Sequence, residues 1–160
     1  MSSLRTYLEW EASVRTSPPP GMAYASLAEF VLKHGAEYEY AAKPKGIRWG
    51  ALRMCFKNAH NLAMWHPELT YCEGYGLSLI ATPHAWCVTE DGKVIDNTWR
   101  PRDRAPLYFG VAFPLEVVNR AIIASGCYGV LQDWKNDYPL LQQPYTPEAA
   151  IAKLKEIPAA

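Results

Sequence analysis

Asp91 and Gly92 stand between two runs of strand-forming residues, 84–89 and 93–99. An Asp-Gly pair in this position is among the strongest short-range signals for a β-hairpin. Residues 69–80 form another strand-like run just before the hairpin. These segments predict an antiparallel sheet, and the rest of the chain has to pack around it.

Helices are predicted on both sides of this sheet in the chain, because apolar residues recur there at helical spacing behind recognisable start and stop signals. The fold class that follows is α+β, in one domain covering residues 1–160: a helix that begins near Cys55 lies on a small antiparallel sheet, with flanking helices. The predicted helices cover 3–14, the residues after Ser26 as far as Gly35, Cys55 to before Pro67, 115–125, and about 147–157; shorter strands are expected within 36–46 and at 108–113.

Charge and hydropathy exclude several classes of function. Lys plus Arg and Asp plus Glu both number 16, so no overall positive charge favours nucleic acid or an anionic membrane surface. No stretch has the 18 or more apolar residues of a membrane span. Charges at Arg5, Glu9 and Glu11 do not fit a secretory signal, so we expect a cytoplasmic protein.

The cysteines and histidines do not have the spacing of a metal site. No two cysteines are separated by two residues as in a zinc knuckle, and the histidines are scattered. We therefore predict free thiols, no metal and no cofactor. The residues concerned are Cys55, Cys72, Cys87 and Cys127, with His34, His60, His66 and His84.

Three residues stand where their surroundings would activate them: Cys55 at a helix start, His84 on one strand and Asp96 on the next. The positive end of a helix dipole and a neighbouring imidazolium both favour a thiolate. His84 would take the thiol proton, and Asp96 would hold the imidazole in one tautomer. The free N–H groups of the first helical turn would form an oxyanion hole. This pattern predicts a Cys-His-Asp triad.

Four short motifs carry a resemblance to a known family: R-x-C-F-x-N-A from Arg53, Y-C-E-G-Y from Tyr71, H-A-W from His84 and V-I-D-N-T-W from Val94. Together, over residues 45–100, they resemble the transglutaminase-like branch of the papain superfamily. The resemblance implies a cysteine that opens a helix, with histidine and aspartate on neighbouring strands. It thus implies the same triad, and thiol-dependent acyl transfer on a peptide, protein or small amide substrate.

Four further residues are candidates for contacting the substrate or supporting the triad: Trp49, Asn58, Glu73 and Trp86. Trp49 occupies the position, six residues before the cysteine, where papain-like enzymes have a glutamine. Asn58 follows Cys55 by one helical turn and would orient a neighbour or the substrate. Glu73 lies in an apolar strand and needs a partner, for which Arg53 and Lys57 are candidates. Trp86, like Trp99, is expected in the core or in a cleft wall.

The hairpin loop decides whether the triad is possible. A two-residue loop of Asp91 and Gly92 would put His84 and Asp96 on opposite faces of the sheet. A three-residue loop that also includes Glu90 pairs Thr89 with Lys93 and puts His84 and Asp96 on one face. We predict the three-residue loop, with a positive φ at Gly92 and a hydrogen bond between His84 and Asp96.

Two functions remain open at this stage. The first is an enzyme that forms an acyl-enzyme at Cys55 and passes the acyl group to water or to an amine. The second is a binding module that keeps the fold without the chemistry. The basic segment of residues 100–106, which contains Arg100, Arg102 and Arg104, suggests an acidic group on the partner.

Overall fold

The computed structural model describes residues 3–100 and 104–160. Over these residues the protein is an α+β structure with five α-helices, two single 3-10 turns and a closed barrel of five strands. The α+β class is therefore confirmed. The helices are α1 (Ser3–Ser13), α2 (Leu27–His34), α3 (Cys55–Trp65), α4 (Leu115–Ser125) and α5 (Pro147–Lys155); the strands are β1 (Ala36–Tyr40), β2 (Thr70–Leu77), β3 (Ala81–Val88), β4 (Lys93–Ile95) and β5 (Leu107–Phe113).

The barrel has the strand order β1-β4-β3-β2-β5, and β5 pairs with β1 to close it. Strands β2, β3 and β4 are antiparallel neighbours, as the sequence predicts. The sheet extends beyond the small antiparallel one that the sequence predicts: it is a closed barrel of mixed strands, in which β1 pairs with β4 in parallel. β1 was expected only as a brief edge strand or loop, and instead it supplies the strand that closes the barrel.

The hairpin between β3 and β4 has the predicted three-residue loop. Cys87 pairs with Ile95 and Val88 with Val94, and the Thr89 amide donates to the Lys93 carbonyl at 3.0 Å. Gly92 has a φ of +78°, a value that L side chains rarely adopt. The loop and its glycine are confirmed, although β4 ends at Ile95 and not at Trp99 as predicted.

Glycines allow two strands and a large ring to approach closely inside the barrel. A Cβ on Gly74 would lie 2.4 Å from the Cα of Gly110 on the neighbouring strand β5. A Cβ on Gly76 would lie 2.6 Å from the ring of Trp99. The absence of a side chain thus lets β2 approach the backbone of β5 at Gly74 and the Trp99 ring at Gly76.

The core has two parts. The larger apolar cluster lies between the outer face of the barrel and the helices, and it includes Ala85 and Cys87 of β3. The smaller cluster fills the barrel and includes Trp86, between those two residues in the sequence. This alternation follows from the two-residue period of a strand. α3 packs on β3 and β2, as predicted.

The remaining helices begin and end close to their predicted limits. At the start of α2, the Glu29 amide donates to the Ser26 hydroxyl, as in the predicted capping box. α4 ends at Gly126, which has a φ of +68°. Residues 101–103, which include Arg102 of the predicted basic segment, lie outside the described residues. Over the described part of the chain, no helix has the length and apolar character needed to span a bilayer.

Candidate active site

Cys55 is the first residue of α3 and is nearly buried, at 9% exposed. The residue before it, Met54, has a side chain that makes no capping hydrogen bond. The first amide groups of a helix have no partner within the helix, and here no Ser, Thr or Asp side chain covers them at the cap. Cys55 therefore lies at free amide groups that can stabilise a negative charge.

His84 and Asp96 form a buried hydrogen-bonded pair. The His84 Nε2 lies 2.7 Å from the Asp96 Oδ2, and both side chains are almost fully buried. The Cys55 thiol lies close enough to the same imidazole ring to help raise the pKa of His84. Since Nε2 faces Asp96, Nδ1 is the ring nitrogen left to meet the thiol. The structure thus brings the three predicted triad residues together in the predicted order.

The surroundings of His84 favour its charged form. Burial alone would lower the pKa of His84, but the hydrogen bonds and negative charges of Asp96 and Cys55 outweigh burial, and the pKa is raised above its usual value. An imidazolium next to a thiol stabilises the thiolate. The raised pKa of His84 therefore places a group that can accept and donate a proton beside the Cys55 thiol.

Asp96 is held by four hydrogen bonds. Its Oδ1 accepts the backbone amides of Thr98 at 2.7 Å and Trp99 at 3.1 Å, and its Oδ2 accepts the Tyr108 hydroxyl at 2.9 Å beside the bond from His84. The two hydrogen bonds from backbone amides turn the chain after Asp96, which explains why β4 ends at Ile95. The carboxylate can therefore neither rotate nor move away from the imidazole.

Tyr108 was missed by sequence reasoning. It lies on β5, and its hydroxyl reaches Asp96 only because the barrel brings β5 and the end of β4 together. Burial, followed by the charge of Asp96, raises the pKa of Tyr108, so the hydroxyl stays protonated and donates over the whole working pH range. A tyrosine in a seven-residue apolar strand carries no local signal for this role.

Two tryptophans hold the plane of the imidazole. The Trp99 ring stacks on His84 with a centroid distance of 3.9 Å and an angle of 17°. Trp86 lies on the barrel side at 6.1 Å and is fully buried. Trp86 therefore supports His84 from the core and cannot line a cleft, whereas the half-buried Trp99 separates His84 from solvent.

Asn58 ties the segment before α3 to the segment after β4. Its side-chain amide donates to the Ala51 carbonyl at 2.7 Å and to the Thr98 hydroxyl at 2.9 Å. A backbone bond from Gly50 to Asn97 joins the same two segments. Cys55 follows the first of these segments, and Asp96 begins the second. Asn58 therefore fixes the position of Cys55 relative to Asp96. Orienting neighbours in this way is one of its two predicted roles.

Glu73 has partners other than the predicted ones. Neither Arg53 nor Lys57 pairs with it: its carboxylate accepts the Tyr71 hydroxyl at 2.8 Å and two backbone amides, from Val130 at 2.6 Å and Leu131 at 2.8 Å. Burial raises the pKa of Glu73 more than these hydrogen bonds lower it. Glu73 attaches the segment after α4 to β2, and being 1% exposed, it does not face a substrate.

The segment that leads into α3 carries two further features. Trp49 is 44% exposed and lies between two cations, with the Lys43 Nζ at 4.7 Å and the Arg100 guanidinium at 5.2 Å from its ring centroid. Arg53 has a φ of +63°, which costs a residue with a Cβ about 1–2 kcal/mol. The strained turn at Arg53 lies two residues before the start of α3. An arginine does not by itself indicate a positive φ.

The other thiols lack this environment. All four cysteines are free. Burial raises the pKa of Cys72 to about 12, and burial likewise raises that of Cys87. Cys127 is exposed and lies 3.8 Å from the Lys135 amine. Among the described residues, no three or more His, Cys, Asp and Glu side chains are grouped so as to hold a metal ion.

Comparison with protein-family models, with curated proteins and with solved structures gives no match to this chain. The site is therefore defined by its own geometry: a cysteine at a helix start, a histidine on β3, and an aspartate directly after β4 of the closed barrel.

Proposed function

We propose that the protein is a thiol-dependent acyl-transfer enzyme of the papain/transglutaminase-like type, with Cys55 as nucleophile, His84 as acid and base, and Asp96 as the group that orients His84. The observation that carries the proposal is the buried 2.7 Å contact between His84 and Asp96, with the Cys55 thiol at the same imidazole. The packing of the Cys-bearing helix on β3, the strand of His84, also agrees with what the motif resemblance implies, with Asp96 directly after β4.

In the proposed reaction, the Cys55 thiolate attacks the carbonyl carbon of a peptide, protein or small amide substrate. An S–C bond forms, and the oxyanion is stabilised by the first amides of α3. The C–N bond then breaks, and the leaving amine takes the proton from the His84 imidazolium. This leaves a thioester on Cys55 and a neutral His84.

In the second half, water or an amine attacks the thioester. His84 accepts the proton of the attacking group, the C–S bond breaks with its electron pair going to sulfur, and the pair is restored with the proton on His84 or shared with Cys55. Water gives hydrolysis and an amine gives transfer. A cytoplasmic location, which the sequence predicts, would keep the thiol reduced.

The proposal is tested with p-nitrophenyl acetate, an activated acyl donor that needs no specific pocket. We expect a burst of about one equivalent of p-nitrophenol, and an acetyl group on Cys55 in the mass spectrum of the quenched protein. Cys55→Ala should abolish the burst without loss of structure, because removal of a small thiol creates little cavity.

Cys127→Ser is the matched control, because Cys127 is the exposed thiol outside the site. This variant should retain the full burst. Acetylation that spreads over Cys127 and surface lysines, with no burst that depends on Cys55, would contradict the enzyme proposal and favour a binding module.

A further inference from the structure

A cleft next to the proposed active site shares Trp99 with the surroundings of His84. It has a volume of about 350 Å³, the size needed for one or two amino-acid residues. It lies between the turn that joins β2 to β3 and the segment that follows β4. Its lining residues are Ser78, Leu79, Ile80, Thr82, Trp99, Arg100 and Pro106.

Trp99 connects the cleft to the triad. One face of its ring stacks on His84 at 3.9 Å, and Trp99 is also part of the cleft wall. Trp99 is therefore shared between the surroundings of His84 and the wall of the cleft.

One wall of the cleft is aliphatic and lacks packing partners. Leu79 is 94% exposed and Ile80 is 71% exposed, and neither belongs to the two apolar clusters of the core. Two large aliphatic side chains exposed together at the tip of a turn are costly unless they contact another apolar group. They fit an aliphatic side chain of the substrate.

Arg100 gives the cleft a positive charge. The Arg100 guanidinium packs over the Trp49 ring, and the Lys43 amine contacts the same ring. No carboxylate among residues 3–100 and 104–160 forms an ion pair with Arg100. The planar guanidinium carries forked N–H donors, which suit recognition of a carboxylate by two hydrogen bonds.

We propose that the cleft binds an aliphatic α-amino acid with a free carboxylate, as the amine half of the amide that Cys55 cleaves or forms. Leu79 and Ile80 contact its side chain, and Arg100 binds its carboxylate. The inference rests on the proposed function, since it assigns a substrate class to that same site. It makes the substrate an N-acyl amino acid or the C-terminal residue of a peptide.

The test uses small alkylating probes of Cys55: N-chloroacetyl-leucine, its uncharged amide N-chloroacetyl-leucinamide, and N-chloroacetyl-glycine. In each reaction an S–C bond forms, chloride leaves, and the thiol proton passes to His84. Rates are read by mass spectrometry of the Cys55 and Cys127 peptides, with iodoacetamide as a probe that needs no cleft. We expect N-chloroacetyl-leucine to label Cys55 about tenfold faster than either of the other two.

Variants locate the preference. Arg100→Gln should remove the preference for leucine over leucinamide and leave the iodoacetamide rate at Cys55 unchanged. Leu79→Ser should remove the preference for leucine over glycine. Arg15→Gln, a change at an exposed arginine that lines a different cavity, is the matched control and should alter neither ratio.

Two failures are distinguishable. If iodoacetamide labels Cys55 no faster than Cys127, the proposed function itself is wrong. If iodoacetamide labels Cys55 rapidly, but leucine and leucinamide probes react equally or Arg100→Gln leaves their ratio intact, the nucleophile stands and the carboxylate site is overturned.

Discussion

His84 is the residue on which the site depends, because four side chains determine its position and charge. Asp96 holds Nε2, Trp99 covers one face, Trp86 lies on the barrel side, and the Cys55 thiol completes the set. A buried imidazole without such partners would be neutral. The proposed chemistry follows from this environment more than from the residue types.

The first prediction concerns the charge of His84. Asp96→Asn removes the negative charge that raises the pKa of His84, so the pKa should fall. The measurement is the chemical shift of the His84 ring protons against pH, by NMR. The control is Tyr108→Phe, which removes one hydrogen bond from Asp96 but keeps its charge, and should shift the titration much less.

The same shift has a consequence for stability. Because the pKa of folded His84 is raised above the unfolded value of about 6.5, its protonation favours folding. That contribution is complete below about pH 6.5 and is lost as pH rises through the folded-state pKa. The difference in the free energy of unfolding between wild type and Asp96→Asn should therefore be larger in acid than at high pH. An equal difference at every pH, or a His84 titration unmoved in Asp96→Asn, would contradict the account.

The sequence identified the reactive residues but not all of their supports. Cys55, His84 and Asp96 could be named because helix starts, strand periodicity and the Asp-Gly turn are local patterns. Tyr108 could not, because its contact with Asp96 crosses the barrel between strands that are distant in the chain. Glu73 was noticed as a buried carboxylate, but its backbone partners after α4 depend on tertiary packing.

At the scale of elements, the hairpin loop positions the triad. The three-residue loop puts His84 and Asp96 on one face, and the positive φ of Gly92 makes that loop possible. This geometry followed from counting residues along two strands, since a change of one residue in register would reverse the face of every side chain. The early end of β4 could not be predicted from the sequence, because it results from hydrogen bonds between backbone amides and the Asp96 carboxylate.

A second prediction concerns the contact between β2 and β5. Gly74→Ala would place a Cβ 2.4 Å from the Gly110 Cα and from the Phe109 carbonyl, so the two strands would have to separate. We expect a loss of about 3 kcal/mol in the free energy of unfolding, measured by urea denaturation. Gly46→Ala is the control, because a Cβ there meets no atom within 4 Å, and its effect should stay within about 0.5 kcal/mol. Equal midpoints for the two variants would contradict this packing.

At the scale of the whole molecule, closure of the barrel brings residues of the site together. β1 joins β4 and β5, and this brings Tyr108 to Asp96. The α+β class, the helix limits and the β2-β3-β4 sheet were accessible from local patterns, but the partner of β1 was not. A five-residue strand with alternating Glu and Tyr does not indicate which strands it will pair with, or in which direction.

The measurement that tests the account most directly is the rate of Cys55 alkylation by iodoacetamide between pH 5.5 and 9, in a Cys127→Ser background with and without His84→Ala. A thiolate paired with an imidazolium should react at pH 6 at a rate within several-fold of that at pH 8, and His84→Ala should reduce the rate at pH 6 by about a hundredfold. An isolated thiol, with a pKa of about 8.5, would instead react about tenfold faster for each pH unit up to that value. If wild-type Cys55 follows that steep dependence and His84→Ala leaves it unchanged, Cys55 and His84 do not act as a catalytic pair.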